Sequence, residues 1–219
     1  MYSKEDSTSR FFTTDDEKQT KIIWELHPLW WSRFCEYIWA AKFINQDDTI
    51  LDSACGICHP FKFYLTDLAK QVYACDGDPR ITDKNAILED IRLSLGQKIF
   101  DEFDKKYLDK VNYAHCDIAE TPYENEQFTK IACVSVLEHL DTHKQKDTLK
   151  EYHRILKPNG LVVLTMDYPN VDPKIICEYA KEIGFELLDE IDYNLPSNAL
   201  KCDYWGSTLY CFRMILVKR

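Results

Sequence analysis

Short apolar segments alternate with helical segments along most of the chain, and this alternation constrains the fold more than any other feature. The segments Thr49–Ser53 and Gln71–Asp76 have the length and composition of buried strands, and a helical pattern follows each of them. Further strands are predicted at residues 111–116, 130–135, 161–166, 185–192 and 209–218. Strands that alternate with helices form a parallel sheet covered on both faces. No helix is predicted between the last two strands, so that pair should be antiparallel.

We therefore expect an α/β fold with a doubly wound, mostly parallel, seven-stranded sheet whose last strand is antiparallel. The predicted helices that cover it are residues 60–70, 83–106, 142–156 and 173–183. The second of them repeats isoleucine or leucine at every fourth position, from Ile87 to Ile99, which is typical of a buried helix face. Gly184 is placed to end the last helix.

The N-terminal region divides into a polar segment and an aromatic segment. Residues 1–20 are polar and predict a mobile arm, whereas residues 22–44 contain four of the five tryptophans. Because no linker or repeat follows, we interpret residues 21–219 as one domain that carries an aromatic helical lid. The aromatic segment is either a helix packed on the core or a wall over a ligand pocket. In the second interpretation the substrate-binding candidates are Trp30, Trp31, Arg33, Tyr37 and, from the loop at 193–205, Tyr204.

Charge and hydropathy exclude several classes of protein. The 219 residues include 27 Lys and Arg against 37 Asp and Glu, which gives a net charge of −10. A general nucleic-acid-binding protein needs a basic surface, so no nucleic-acid partner is expected. No apolar run is long enough to cross a membrane, and the polar N-terminus does not resemble a secretory signal. We expect a cytoplasmic protein without a membrane partner, and both a monomer and a homodimer stay open.

The loop after the first predicted strand is the first candidate ligand site. Its small residues Ala54, Cys55 and Gly56 let the backbone turn sharply and approach a ligand. Asp76 ends the next strand 20 residues after Gly56, a separation that suits a carboxylate binding both hydroxyls of a ribose. Two glycines of the usual dinucleotide pattern are missing. Nucleotide binding and a simple polar strand end therefore both stay open at this point.

Cysteine spacing in the same loop allows two other interpretations. Cys55, Cys58 and His59 fit a haem-attachment pattern, and the two cysteines alone fit a redox pair at a helix N-terminus. The nine cysteines are scattered over a long chain, so most should be reduced thiols packed as small apolar residues. A zinc site needs a second pair of ligands, and no second pair with this spacing exists. We therefore expect no metal site.

Taken together, four stretches resemble the class I S-adenosylmethionine-dependent methyltransferases, in the order in which that family has them. They are residues 50–58 (the first motif), 72–77 (the acidic second-strand motif), 116–118 with Pro122 and Phe128 (the adenine segment), and 131–140 with 154–161 (the most recognisable pair). The resemblance spans about residues 48–167. Ala54 and Cys58 depart from it, because the family prefers glycine at both positions.

The resemblance implies S-adenosylmethionine as cofactor and S-adenosylhomocysteine as product. By resemblance, Asp52 and the loop surround the methionine part, and Asp76 binds the ribose hydroxyls. Asp117 accepts a hydrogen bond from the adenine amino group, and Ile118 packs on the ring. The full set of implied cofactor-binding residues is Asp52, Ala54, Cys55, Gly56, Asp76, Gly77, Asp117, Ile118, Ser135 and Val136.

The predicted reaction is transfer of a methyl group to an oxygen or nitrogen of a small molecule, such as a metabolite, a sugar or a natural product. The alternatives are a non-catalytic nucleotide-binding module and a methyltransferase that acts on protein or RNA. His139 is the candidate general base, because it follows the fourth strand, where cofactor and substrate should meet. Its other interpretation is a hydrogen-bonded residue at a helix start. Asp167 and Tyr168, after the fifth strand, are further catalytic candidates or plain strand-end residues.

Overall fold

A mixed β-sheet runs through the centre of the computed structural model, which describes residues 2–203 and 206–219. Within these residues the sheet has nine strands: β1 (Arg10–Phe11), β2 (Thr49–Ser53), β3 (Gln71–Asp76), β4 (Val111–His115), β5 (Phe128–Val134), β6 (Leu156–Tyr168), β7 (Phe185–Leu187), β8 (Lys201–Cys202) and β9 (Leu209–Lys218). The strand order is β1-β9-β6-β5-β2-β3-β4. Strands β2 to β6 pair parallel, and β9 runs antiparallel to β6. The α/β class and the antiparallel last strand are confirmed.

The strand count differs from the predicted seven because of short strands that pair with β9. Strands β1 and β8 have two residues each, which is too short to show a periodic pattern in the sequence. Strand β7 ends at Leu187, although the prediction for this strand continued to residue 192. It also pairs antiparallel with β9. Strand β9 therefore pairs with β6 and with all three short strands, β1, β7 and β8.

Helices cover both faces of the sheet: α1 (Lys4–Ser7), α2 (Arg33–Ala41), α3 (Phe61–Leu65), α4 (Lys84–Leu95), α5 (Gln97–Glu102), α6 (Tyr107–Lys110), α7 (Thr142–Ile155) and α8 (Pro173–Ile183). Helix α8 has the predicted bounds, since the Asp172 side chain caps its first turn and Gly184 adopts a left-handed conformation after it. The helix predicted at 60–70 is shorter. The helix predicted at 83–106 is divided at Gly96, where φ is +94°.

Each face of the sheet has its own hydrophobic core, because successive strand residues point to opposite sides. On one side Ile50 packs in a cluster with Trp39 of α2 and Phe63 of α3. On the other side Leu51 packs in a cluster with Tyr152 of α7 and Ile176 of α8. The aromatic segment is therefore partly a packed helix, and that helix covers only the second half of the predicted range.

Residues 3–16 pack on the sheet edge, which differs from the mobile arm expected for them. Strand β1 pairs with β9, and Phe12 is fully buried with its ring perpendicular to that of Trp39. The guanidinium of Arg213 lies 5.2 Å from the ring centre of Phe12 and donates a 2.7 Å hydrogen bond to the carbonyl of Glu5. The polar composition of the segment concealed this docking, because its buried polar groups are paired with groups of the sheet.

The β2–α3 loop, residues 54–60, makes a tight turn with one glycine. Ala54 and Gly56 both adopt left-handed conformations, with φ of +52° and +64°. A Cβ atom on Gly56 would lie 2.6 Å from the Cδ2 atom of His59, so this position requires glycine. Ala54 carries a strain of roughly 1–2 kcal/mol. The fully buried Lys62 donates from Nζ to the carbonyls of Gly56 (2.6 Å) and His59 (2.7 Å), and these bonds stabilise the turn.

We predict that Phe12→Ala lowers the free energy of unfolding by about 3–5 kcal/mol, because it leaves a cavity under the N-terminal segment. Leu93→Ala is the control: Leu93 is 68% exposed on α4, and such changes alter stability by about 0.5 kcal/mol or less. Denaturant unfolding measures both variants. Equal unfolding midpoints for the two would contradict the docking of residues 3–16.

We also predict that Lys62→Met lowers the free energy of unfolding by about 1–3 kcal/mol. Methionine keeps the apolar stem but removes the ammonium, so two partly buried carbonyl oxygens lose their donor. Lys70→Met, at an exposed site shortly after α3, is the matched control. The same measurement applies, and a Lys62→Met protein as stable as the control would show that Lys62 does not support the loop.

Candidate active site

Three adjoining cavities among the described residues lie at the carboxyl ends of the parallel strands, where ligands bind in open α/β sheets. The inner cavity, of about 320 Å³, is lined by residues that include Arg33, Tyr37, Asp52, Gly56, Ser135 and His139. The aromatic cavity, of about 460 Å³, is lined by residues that include Trp30, Trp31, Arg33, Glu138, His139 and Asp167. The edge cavity, of about 410 Å³, is lined by residues that include Ala54, Gly77, Asp117, Ile118, Val136 and Lys144.

Shared residues connect the three cavities. Arg33, Ser135 and His139 line both the inner and the aromatic cavity. Ala54 and Val136 line both the inner and the edge cavity. The inner cavity therefore stands between the other two, and a long ligand in the inner and edge cavities would present one end to the aromatic cavity.

The structure brings the predicted cofactor-binding residues together around the inner and edge cavities. Asp52, Ala54, Cys55, Gly56, Ser135 and Val136 line the inner cavity, and Gly77, Asp117 and Ile118 line the edge cavity.

Asp76 is not among the residues that line the two cavities, but it precedes Gly77 in the chain and its Oδ2 accepts a 2.8 Å hydrogen bond from the amide of Gly56. Its Oδ1 accepts from the amide of Asp78 at 2.9 Å. Each carboxylate oxygen has a second lone pair, so Asp76 keeps capacity to bind hydroxyl groups.

Asp52 is a buried carboxylate at the end of β2 with an unsatisfied oxygen. Its Oδ2 atom has no hydrogen-bond partner within residues 2–203 and 206–219. Burial raises the pKa of Asp52 to about 7, with Lys62 and Arg33 opposing the shift and Asp76 adding to it. A ligand cation in the inner cavity would satisfy this oxygen and stabilise its ionised form.

Asp117 begins the loop after β4 and is already ion-paired. Its Oδ2 lies 2.6 Å from Nζ of Lys144, and its Oδ1 accepts from the amide of Ala119. The hydrogen bond from Lys144 holds the pKa of this carboxyl below its usual range. The neighbouring Ile118 is buried and supplies an apolar surface in the same cavity. The edge cavity thus offers an acceptor beside an apolar wall.

A fully buried carboxylate, Glu36, ties helix α2 to the strand ends, and the sequence analysis missed it. Its Oε1 accepts from the hydroxyls of Ser135 (2.6 Å) and Thr165, and its Oε2 accepts from Arg33 and from Ser32 (2.7 Å). Burial alone would raise the pKa of Glu36, but Arg33 and the hydroxyl donors outweigh it and hold the pKa below its usual range. The signal in the sequence was the spacing of Arg33 and Glu36, two charges inside an otherwise apolar helix.

Besides its packed helix, the aromatic segment forms part of the walls of the inner and aromatic cavities. That these walls enclose a bound ligand stays a prediction. The ring of Trp30 stacks on His59 with centroids 4.1 Å apart, and the hydroxyl of Tyr37 lies 2.9 Å from Nδ1 of His59. Burial lowers the pKa of His59 well below its usual value, and Arg33 lowers it further, so the ring is neutral near pH 7.

The substrate-binding candidates divide between the cavities. Trp30 and Trp31 line the aromatic cavity, Arg33 lines both cavities, and Tyr37 lines the inner cavity. The prediction for Tyr204 lies outside the described residues.

The three catalytic candidates are not all brought together. His139 ends a short 3₁₀ turn, Leu137–His139, and its exposed side chain lines the inner and aromatic cavities. Asp167 lines the aromatic cavity, and burial raises its pKa to about 7, with a contribution from Glu36. Tyr168 points to the opposite face of β6, where its ring packs against Phe11 with centroids 5.6 Å apart. Tyr168 is therefore placed away from the cavities.

Glu138 is a second site residue that the sequence analysis did not single out. It lines the aromatic cavity, and neither carboxylate oxygen has a partner in the part of the chain that the structure describes. Burial raises its pKa to about 8, and Asp167 adds to the shift. The residue stands beside His139 in the motif at 131–140, so the signal was available in the sequence.

The cysteine interpretations gain no support from the geometry. All nine cysteines are free thiols, and burial raises the pKa of Cys58 to about 11 and that of Cys55 further. A raised pKa opposes the thiolate form that redox and ligand chemistry need. Among the described residues, no cluster of three or more His, Cys, Asp or Glu is arranged to hold a metal ion. None of the helices in those residues has the length and apolar character needed to cross a membrane.

Solved structures with this fold are similar to the chain at low sequence identity. The [4+2]-cyclase SpnF matches with a TM-score of 0.62 and 14% identity, over 96% of this chain and 86% of that one. A TehB-like S-adenosylmethionine-dependent methyltransferase from Corynebacterium glutamicum matches with a TM-score of 0.57 and 16% identity, over 84% of this chain and 87% of that one. A third match is the 1,6-didemethyltoxoflavin-N1-methyltransferase of Burkholderia thailandensis with bound S-adenosylhomocysteine. Its TM-score is 0.56 at 13% identity, over 86% of this chain and 80% of that one. No curated protein matches the sequence.

The family comparison is more decisive than these structures. The model of the methyltransferase domain family matches residues 51–164, which is more than half of the chain and includes the last three residues of β2, all of β3 to β5 and most of β6. These are the strands whose ends form the inner and edge cavities. The chain therefore belongs to the methyltransferase domain family, and it is an enzyme that uses S-adenosylmethionine as its methyl donor.

Proposed function

We propose that this enzyme transfers the methyl group to an oxygen or nitrogen of a small molecule bound in the aromatic cavity. One observation carries the proposal: the aromatic cavity, of about 460 Å³, shares Arg33, Ser135 and His139 with the inner cavity. Its volume suits a small ligand, and its walls combine tryptophan rings with a few polar groups, as small-molecule sites do. An acceptor held there would stand next to the end of a cofactor held in the inner cavity.

The inner and edge cavities fit the cofactor. The unsatisfied oxygen of Asp52 would accept from the ammonium of the methionine part, and Asp76 would bind the ribose hydroxyls. Asp117 and Ile118 would bind the adenine, which requires Asp117 to share or release Lys144. Residues 54–56, which line the inner cavity, would lie along the methionine chain. When bound, S-adenosylmethionine supplies a methyl group on a positively charged sulfur. A nucleophile attacks the methyl carbon, and the sulfur leaves as a neutral thioether.

The chain would contribute alignment and proton removal. Holding acceptor and cofactor in adjoining cavities converts a two-molecule reaction into a reaction within one complex. His139 lies on the boundary between the cavities, and histidine is the side chain that most often takes a proton near neutral pH. We propose His139 as the general base, with Asp167 as a polar group of the acceptor site.

A macromolecular substrate is less well supported. The net charge of −10 opposes RNA binding, and the acceptor cavity is bordered by the aromatic segment. Membership of the methyltransferase domain family opposes a non-catalytic binding module. The cytoplasmic location stays a prediction.

We predict that Asp76→Ala weakens binding of S-adenosylhomocysteine by roughly 100-fold. Hydrogen bonds to a charged group contribute about 1.5–3 kcal/mol each, and a tenfold change in affinity corresponds to about 1.4 kcal/mol. Titration calorimetry measures the affinity, with NADH as a control ligand. Asp78→Ala is the matched variant, because Asp78 stands two residues away and pairs with Arg80. Equal affinities of wild type and Asp76→Ala would exclude Asp76 from the cofactor site.

We predict that His139→Ala slows turnover by roughly two to four orders of magnitude and leaves the affinity for S-adenosylhomocysteine unchanged. Transfer of a labelled methyl group to a panel of phenols, catechols and primary amines measures the rate. His143→Ala is the control, since His143 is an exposed histidine on α7 close to the same loop. If wild type and His139→Ala turn over alike on an accepted substrate, His139 is not the base.

A further inference from the structure

The aromatic cavity contains two carboxyl groups that the fold leaves without partners. Both oxygens of Glu138, and Oδ1 of Asp167, are buried without a hydrogen-bond partner among the residues described. Both side chains line the aromatic cavity. Buried polar groups are ordinarily paired, and unpaired ones concentrate where a ligand completes them.

The guanidinium of Arg33, the cationic side chain of this cavity, already has hydrogen-bond partners. Arg33 lines the same cavity, but it donates to Glu36 and to the hydroxyl of Ser32. Arg33 and Glu36 therefore balance each other, and Glu138 and Asp167 are left as the uncompensated acidic groups. The charged groups that act on them are Arg33 and Glu36 from α2, and His139 lines the same cavity. Among the described residues, neither Arg33 nor His139 donates a hydrogen bond to the unpartnered oxygens, and the Glu36 carboxylate has no donor to offer.

Resting on the proposed function, we infer that the methyl acceptor is a primary or secondary amine whose protonated nitrogen binds to Glu138 and Asp167. An ammonium group is a donor with up to three N–H bonds, which matches the set of unsatisfied oxygens. Trp30 and Trp31 line the same cavity, and the faces of tryptophan rings attract organic cations. A neutral hydroxyl acceptor would provide one donor and no charge, and would leave most of these oxygens unsatisfied.

Methylation of a bound ammonium first requires a base to remove one of its protons, and His139 can serve as that base. The bound ammonium gives one proton to His139, which frees the lone pair of the nitrogen. The nitrogen then forms a bond to the methyl carbon, and the electron pair of the broken carbon–sulfur bond stays on sulfur. The positive charge passes from sulfur to the methylated nitrogen, which Glu138 and Asp167 continue to stabilise.

Proton linkage gives the amine site a distinctive signature. In the free protein burial raises the pKa of Glu138 to about 8 and that of Asp167 to about 7. At neutral pH a larger fraction of both carboxyl groups is therefore protonated than in exposed carboxyl groups. An ammonium ligand favours the ionised carboxylates and lowers both pKa values. Binding should therefore release protons, and the affinity for an amine should increase as the pH rises from about 6 to about 8.

The experiment compares matched ligands on the protein saturated with S-adenosylhomocysteine. Phenethylamine and 2-phenylethanol, and tryptamine and tryptophol, differ in an ammonium against a hydroxyl group. Calorimetry in buffers of different ionisation enthalpy gives the affinity and the protons released. We expect each amine to bind at least tenfold more tightly than its alcohol, with proton release. Glu138→Gln should remove the preference, whereas Glu124→Gln, at an exposed position, should keep it.

A second readout needs no ligand. From about pH 5 up to the folded pKa values, about 7 for Asp167 and about 8 for Glu138, the unfolded chain has lost protons that the folded chain still holds, so stability should fall as the pH rises through this range. Glu138→Gln should reduce this slope without lowering stability at pH 8, because no partner is lost. A large loss of stability would show instead that Glu138 has a structural role.

The outcomes separate the two proposals. If S-adenosylhomocysteine binds but alcohols bind as tightly as amines, or no amine binds, the amine inference is overturned and small-molecule transfer stands. If S-adenosylhomocysteine itself does not bind to the folded protein, the cofactor arrangement proposed above fails first. Wild-type preference retained in Glu138→Gln and in Asp167→Asn would also overturn the inference.

Discussion

The buried carboxylate of Glu36 is the interaction on which the arrangement of the site depends. A fully buried charge is tolerated only when donors surround it, and here the donors come from α2 itself and from the ends of β5 and β6. Helix α2 can therefore lie only where Ser135 and Thr165 present their hydroxyls to it. That position places Arg33 and Tyr37 as walls of the inner cavity and carries the aromatic segment over the strand ends.

The β2–α3 loop, residues 54–60, makes a tight turn although two positions lack the glycine that the family prefers. Ala54 adopts a left-handed conformation where the family prefers glycine, and Cys58 packs against the core without lining the cavity. Lys62 and Asp76 compensate by bonding to the backbone of the loop. The turn is thus stabilised by side chains.

The buried carboxylates of the site differ in whether donors surround their oxygens. Glu36 is surrounded by donors and fixes the framework, whereas Asp52, Glu138 and Asp167 have oxygens without partners and line the cavities. Leaving a buried acceptor unpaired costs about 1–3 kcal/mol, so such groups lower the stability of the free protein. Under the proposed function, a cofactor and a methyl acceptor would supply the missing donors and offset this cost.

The sequence by itself determined the α/β class, the antiparallel last strand and the bounds of α8, because strand length and helix caps are local properties. Through the family resemblance it also predicted most of the residues that line the inner and edge cavities. Tertiary structure decided the rest. The docking of residues 3–16 depends on Arg213, near the other end of the chain, and the place of Tyr168 depends on the face of β6. Whether a carboxylate such as Glu36 or Glu138 is paired depends on donors that the fold brings from distant positions, and no local pattern records that.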